Sequence, residues 1–241
     1  MTVQSILNQE DSSFCCYVVT KNSSDLQVGK ALNLRIIDYP YERLAVTDLT
    51  GYGAPQLKNI DHIERNYDIG KKSLYGANQA IQDGCTHIMK VDADDLVSNR
   101  LVSFLQKGNH KTNYYIPNGY VMTLGSKFLY QEDSLNDING STNIVASRYL
   151  PAVDFSSRNI NDFNFFTSHS YLKVRVEKLS GSDVIPIPFR VLIYVKHPSG
   201  VSQSHNLYDP KTFKGLFKLI MRGKRLTARI RQEFSIPLQP S

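Results

Sequence analysis

Three of the four consecutive residues Asp92-Ala93-Asp94-Asp95 are acids, and they follow directly on a short β-rich run, residues 86–91. Along an extended backbone alternate side chains share a side, so Asp92 and Asp94 are expected to converge where that strand ends. Two carboxylates brought together repel, and a cation between them relieves the repulsion. Hard divalent ions such as Mg²⁺ or Mn²⁺ take carboxylate oxygens and keep positions open for phosphate oxygens, so the chemistry these acids suit is a metal–diphosphate site. A second reading is open to the same residues: Asp95 or Ser98 caps the next helix by accepting from its free backbone N–H groups.

Several elements must place this cluster. Helical spacing runs over residues 55–63 and again over 73–81, the second stretch closing at Asp83-Gly84, where glycine can take the left-handed conformation. A short N-terminal helix is expected from Val3, Ile6 and Leu7. A covered strand is expected over 14–19 and a weaker one over 44–46. Beyond the acids, 101–105 reads as helix, 113–130 as strands around Asn118-Gly119 and Gly125-Ser126 turns, 170–179 as helix and 189–195 as strand. Residues 131–170 show no clear pattern. Helix, glycine stop, short strand and acids in that order form an α/β unit that presents its ligand site at the carboxyl end of the strand.

The chain has 241 residues, 41% of them hydrophobic and 21% charged, with ten prolines and fourteen glycines, enough apolar material for one core of ordinary domain size. Three cysteines, Cys15, Cys16 and Cys85, cannot make a multi-bridge framework, which favours a reducing cytoplasmic setting. No run approaches the ~20 apolar residues of a spanning helix, and the start does not read as a secretory signal. The net charge of +6 is concentrated in residues 211–234, where eight basic side chains face one acid, Glu233. That segment reads as one amphipathic helix, apolar at Phe213, Leu216, Phe217 and Ile220. It suits either a peripheral contact with an anionic membrane at its inner face or packing on the domain with solvated charges. Nucleic acid is not an expected partner, since no zinc-ligand spacing or RNA-binding motif accompanies the charge.

The stretch Ala77-Asn78-Gln79-Ala80-Ile81, then Gly84, then His87-Ile88-Met89-Lys90-Val91-Asp92-Ala93-Asp94-Asp95 resembles the central signature of GT-A fold glycosyltransferases, above all family 2. Thr2-Val3-Gln4-Ser5-Ile6-Leu7-Asn8-Gln9 is similar to that family's first helix. Arg190 followed by Tyr194-Val195-Lys196-His197-Pro198-Ser199-Gly200-Val201-Ser202 is similar to its late basic and histidine-bearing segment. Together these cover roughly residues 2–205. The Ser5-Ile6-Leu7-Asn8-Gln9 helix, the acid cluster and Asn118-Gly119-Tyr120 look most like a rhamnosyltransferase subgroup.

The resemblance implies an α/β fold with a Rossmann-like mixed central sheet flanked by helices. It implies a GT-A-like domain over 1–205 without the family's first strand, and a basic C-terminal helix and tail over 206–241. The implied activity is metal-assisted, inverting transfer of a sugar from a nucleotide-diphosphate donor to a hydroxyl of a glycan or lipid-linked acceptor. Carried over residue by residue, Asp94, Asp92 and His197 would hold Mn²⁺ or Mg²⁺. Asp92, Asn78, Asp25, Lys196 and Arg190 would contact the nucleotide sugar, with Asp95 supporting the loop. The catalytic base would come from Asp162, His169 or Asp154. Lysine stands in Thr20-Lys21-Asn22 where family members often carry acids that contact the base, and a lysine cannot accept from a base N–H. Two other functions fit the residues, a nucleotidyltransferase and a non-catalytic or truncated binding module of the same fold.

Overall fold

The computed structural model describes residues 1–26, 29–53, 59–167, 169–196 and 212–237, without the side chains of Asp25, His169 and Ser170. In chain order the first half forms α1 (Thr2–Leu7), β1 (Cys16–Thr20), β2 (Leu34–Asp38), α2 (Ile60–Gln82), β3 (His87–Met89), β4 (Leu96–Val97) and α3 (Leu101–Gln106). The second half forms β5 (Tyr114–Tyr115), β6 (Gly119–Thr123), β7 (Phe128–Glu132), β8 (Asn143–Ala146), α4 (His169–Ser180), β9 (Ile185–Pro186), β10 (Leu192–Lys196), α5 (Phe213–Arg222), β11 (Gly223–Arg225) and α6 (Ala228–Glu233). The architecture is α/β with mixed sheets.

The longest element is α2. Asn59 caps it by accepting from the His62 N–H at 3.2 Å, and Gly84, at φ +85°, turns the chain away at its other end. Its buried side chains, Ile63, Tyr67, Leu74 and Ala77, recur at helical spacing and face Ile88 of β3, Val145 of β8 and Phe166. Two glycines set how closely it docks. A Cβ on Gly76 would lie 2.7 Å from Val19 of β1, and one on Gly70 would lie 2.0 Å from the Phe163 carbonyl oxygen.

Strands β1 and β2 pair in parallel, with Cys16 opposite Leu34. A four-stranded sheet runs β3-β8-β5-β9 and a five-stranded one β11-β7-β6-β10-β4, with parallel and antiparallel neighbours in both. Alternation divides the larger sheet's side chains. Val121, Tyr130 and Leu192 pack with Ile116, Ile144 and Ile187, while Tyr120, Leu129, Ile193 and Val195 pack with Leu226, Ile230 and Phe234 from the C-terminal segment. That segment is tied in further by Glu233, whose carboxylate accepts from Ser98 at 2.6 Å and pairs with Arg100 at 2.9 Å. Asn8 reaches the Gln232 carbonyl at 3.1 Å.

Four expectations are corrected. The second strand is β2, and 44–46 leads into a 3₁₀ turn, Val46–Asp48, because the Glu64 carboxylate takes the Val46 N–H at 2.9 Å and Tyr52 donates to the Val46 carbonyl at 3.0 Å. Helix α2 is continuous across the interval between the two expected helices, and residues 55–58 of the first lie outside the described residues. Asn118-Gly119 is no hairpin: β5 and β6 belong to different sheets, and Gly119 is small because a Cβ there would stand 2.3 Å from Leu135 and 2.8 Å from the Leu192 carbonyl. The basic segment is two helices separated by β11, since α5 ends at Gly223 and the chain then pairs antiparallel with β7. The three cysteines are free, and no helix among the described residues is long and apolar enough to cross a membrane.

Gly70→Ala puts a methyl group against a backbone oxygen that cannot rotate away. Urea unfolding is expected to show a loss of about 1–3 kcal/mol, against the ~1 kcal/mol that alanine ordinarily adds to a helix interior. Gly29→Ala, with open space around it, is expected to stay within about 0.5 kcal/mol of wild type.

Candidate functional site

The acids lie in a turn between β3 and β4. The Asp95 N–H donates to the Asp92 carbonyl at 3.1 Å, so the extended alternation expected for Asp92 and Asp94 does not continue through the cluster. The turn sends the acids different ways. Asp95 is fully buried, Asp94 is partly exposed, and Asp92 keeps 38% of its side chain exposed. Helix α1 buttresses the turn: Thr2 donates to the Ala93 carbonyl at 2.7 Å, and Ser5 accepts from the Val97 N–H at 3.1 Å.

Asp95 is anchored by the loop ahead of β8. One of its carboxylate oxygens accepts from Asn139 at 2.7 Å and from Ser141 at 2.6 Å, while the other, equally buried, has no hydrogen-bond partner. Burial pushes this carboxyl up to about 7 against the two donors, and the neighbouring Asp92 and Asp94 charges add to the rise. It caps no helix. Arg100 occupies the N-cap of α3, and Ser98 accepts the Arg100 N–H at 3.4 Å.

Beside Asp92 opens a pocket of about 230 Å³, walled by Asn66 and Ile69 of α2, Lys90, Asn139, Phe166, Thr167 and Tyr194 of β10. Lys90 forms an ion pair with Asp92. Gly140 lets the two approach the loop, since a Cβ there would lie 2.9 Å from the Asp92 carboxylate and 3.3 Å from the Lys90 ammonium. Strand β10 brings a second cation near: the Lys196 Nζ lies 5.3 Å from the centre of the Tyr194 ring, and burial, with Lys218 nearby, pushes it down to about 8. The pocket therefore carries one carboxylate and one ammonium on its wall, a set that suits a phosphorylated polyol.

The other expected site residues scatter. Arg190 serves the hairpin of β6 and β7, donating to the carbonyls of Gly119 at 2.7 Å and Glu132 at 2.9 Å and pairing with Asp133 at 2.6 Å. Asn78 lines a separate cavity of about 120 Å³ with Leu74, Leu150 and Phe155. Asp154 is exposed and accepts from Ser156, whose backbone N–H and hydroxyl hold its carboxyl below the usual range, and Asp162 accepts from Ser157 at 2.5 Å. Neither acid lines the pocket beside Asp92. His197 lies outside the described residues, as do the side chains of Asp25 and His169.

Lys90, Asn139, Gly140 and Ser141 were not singled out from the sequence. For Lys90 a signal existed, since it stands two residues before Asp92 and so shares its side of an extended chain. The run Asn139-Gly140-Ser141-Thr142 shows only as turn formers.

Among the described residues no three His, Cys, Asp or Glu side chains come together as a metal-binding group. The turn leaves two acids partly exposed as separate donors, with Lys90 already paired to Asp92. Asp92 and Asp94 both offer partly exposed carboxylates, and Mg²⁺ is ordinarily held by one or two carboxylates with water and phosphate oxygens completing its sphere. The chain matches no family model and no curated protein.

Two outcomes test this geometry. With its folded value near 7 against 3.8 as a free side chain, Asp95 favours folding in its protonated form. Its contribution is fully present below about pH 4 and is lost as pH rises toward about 7, at up to about 1 kcal/mol per pH unit. Unfolding free energies measured across this range should fall with pH in wild type, and the slope should flatten in Asp95→Asn, which keeps an acceptor for Asn139 and Ser141. Arg190→Ala should lower stability by about 2–4 kcal/mol in urea unfolding, because two carbonyls and Asp133 lose their donor together.

Proposed function

We propose that the protein is a glycosyltransferase of GT-A type, moving a sugar from a nucleotide-diphosphate donor to a hydroxyl of a glycan or lipid-linked acceptor. The observation that carries this reading is the pocket beside Asp92. It opens at the carboxyl end of β3, after the α2 helix, and combines an acid and an ammonium at its wall with a further lysine close by. The sequence resemblance adds the order of helix, strand and acid turn.

In this reading Asp92 and Asp94 would hold a divalent ion, which when bound supplies positive charge to the leaving diphosphate. Lys90 supplies positive charge at the pocket wall, so the negative charge that develops as the sugar–phosphate bond breaks meets a preorganised cation. Tyr194 and Phe166 give the walls apolar surface. The base that takes the acceptor's proton would come from Asp162, His169 or Asp154, and the two acids do not line this pocket. A second reading, a binding module without turnover, draws support from the pocket wall, where Asp92 is the sole carboxylate among the described residues.

Thermal unfolding against UDP-, GDP-, dTDP- and CMP-linked sugars, with Mn²⁺, Mg²⁺ or EDTA, tests the donor site. A ligand at ~100 times its dissociation constant should add about 2.7 kcal/mol. The expected result is a shift that needs one nucleotide together with the metal and disappears in Asp94→Ala. A folded protein that shifts with none of them would overturn the donor site. Metal-dependent binding without release of nucleoside diphosphate, in the presence of acceptor glycans, would favour the binding module.

A further inference from the structure

Helix α5 lies with its apolar face outward. Phe213 is 86% exposed, Ile220 73%, Met221 67% and Phe217 60%, and Leu216 is exposed beside them. At 3.6 residues per turn these five share an arc of about 140°. The opposite side faces the body of the protein: Gly215 is buried, Leu219 packs on the core, and Lys218 and Arg222 reach the buried Glu132 at 2.8 and 3.5 Å. Two cations thus turn inward to a carboxylate while five large apolar side chains meet water. Contiguous apolar surface of this kind marks an interaction site.

The charges around the face identify its partner. From Phe213 to Arg225 there is no acid, while Lys214, Lys224 and Arg225 are exposed and Arg229 follows on α6. We propose that the outward face of α5 docks on an anionic lipid bilayer, with Phe213, Phe217 and Ile220 entering the acyl boundary and the exposed lysines and arginines meeting lipid phosphates. A second copy would bring the same cations against each other, and a nucleic-acid backbone would leave the apolar stripe without a partner. Leu226, Ile230 and Phe234, which belong to the same basic segment, are buried in the core and take no part.

Sedimentation of the full chain with vesicles tests it. Binding to phosphatidylcholine vesicles containing phosphatidylglycerol should exceed binding to phosphatidylcholine alone by at least about tenfold and weaken with salt. Phe217→Glu combined with Ile220→Glu should reduce binding by more than about tenfold with an unchanged unfolding midpoint, since both side chains are exposed. Lys224→Ser should reduce it by about fivefold. No binding to anionic vesicles, equal binding to neutral ones, or undiminished binding by the double variant would each overturn the proposal. So would a wild-type dimer in light scattering that the double variant converts to monomer, which would assign the face to a second copy.

Discussion

A carboxyl group sealed from water must keep its proton or be given donors, and Asp95 is fitted for both. Burial raises it to about 7, and Asn139 and Ser141 supply hydrogen bonds to one oxygen. Much of the surrounding structure follows from holding that group in place. The same Ser141 hydroxyl accepts the Asp92 N–H at 2.8 Å, so the loop that satisfies the buried acid also fixes where the exposed one stands. Past the turn, Leu96 and Val97 pair with Ile193 and Leu192, which aligns β10 so that Tyr194 comes to the pocket wall. One buried acid therefore links β3, β4, β8 and β10 around a single cavity.

A second carboxylate organises the far edge of the larger sheet. Glu132, 8% exposed, closes β7 and receives Lys218 and Arg222 from α5, while its own carbonyl accepts Arg190. Removing a buried charge's partners is costly, so these pairs hold α5 in one rotational setting. That setting turns the apolar side of α5 away from the core. The orientation is the reverse of an ordinary surface helix, and ion pairing with Glu132 gives it a physical cause.

What the sequence made legible were elements with strong local signals. The C-terminal part of α2 with its glycine stop, the α1, α3 and α4 helices and the acid cluster follow from periodicity and from turn chemistry that needs no distant partner. Strand β2 escaped because three of its five residues are exposed, leaving little apolar contrast. The loop that anchors Asp95 lies 44 residues away from it, and its asparagine and serine carry no pattern that separates them from solvent-facing turn residues. The basic segment misled for a related reason. Its apolar residues keep helical spacing across Gly223, yet Ile220 faces water and Ile230 the core, a difference set by tertiary packing and invisible to periodicity. Of the candidate site residues, Asp92 lines the pocket, whereas Arg190 bonds the β6–β7 hairpin and Asn78 lines the other cavity.

The contacts of Glu233 have a consequence for how the protein matures. Its carboxylate holds Ser98 and Arg100, its carbonyl accepts the Asn99 N–H at 3.1 Å, and the neighbouring Gln232 carbonyl accepts Asn8. Residues near 8, 99 and 233 thus meet at one junction, behind the strand that follows the acid turn. During synthesis the first two emerge long before the third, at ~5–20 residues per second. The face of β4 and β10 that Ile230 and Phe234 cover must therefore wait with Leu96 and Ile193 open to solvent until nearly the whole described chain has been made. The nascent protein passes through an interval in which its acid turn can form but its larger sheet is uncovered, and in that interval a holding chaperone would have an apolar surface to bind.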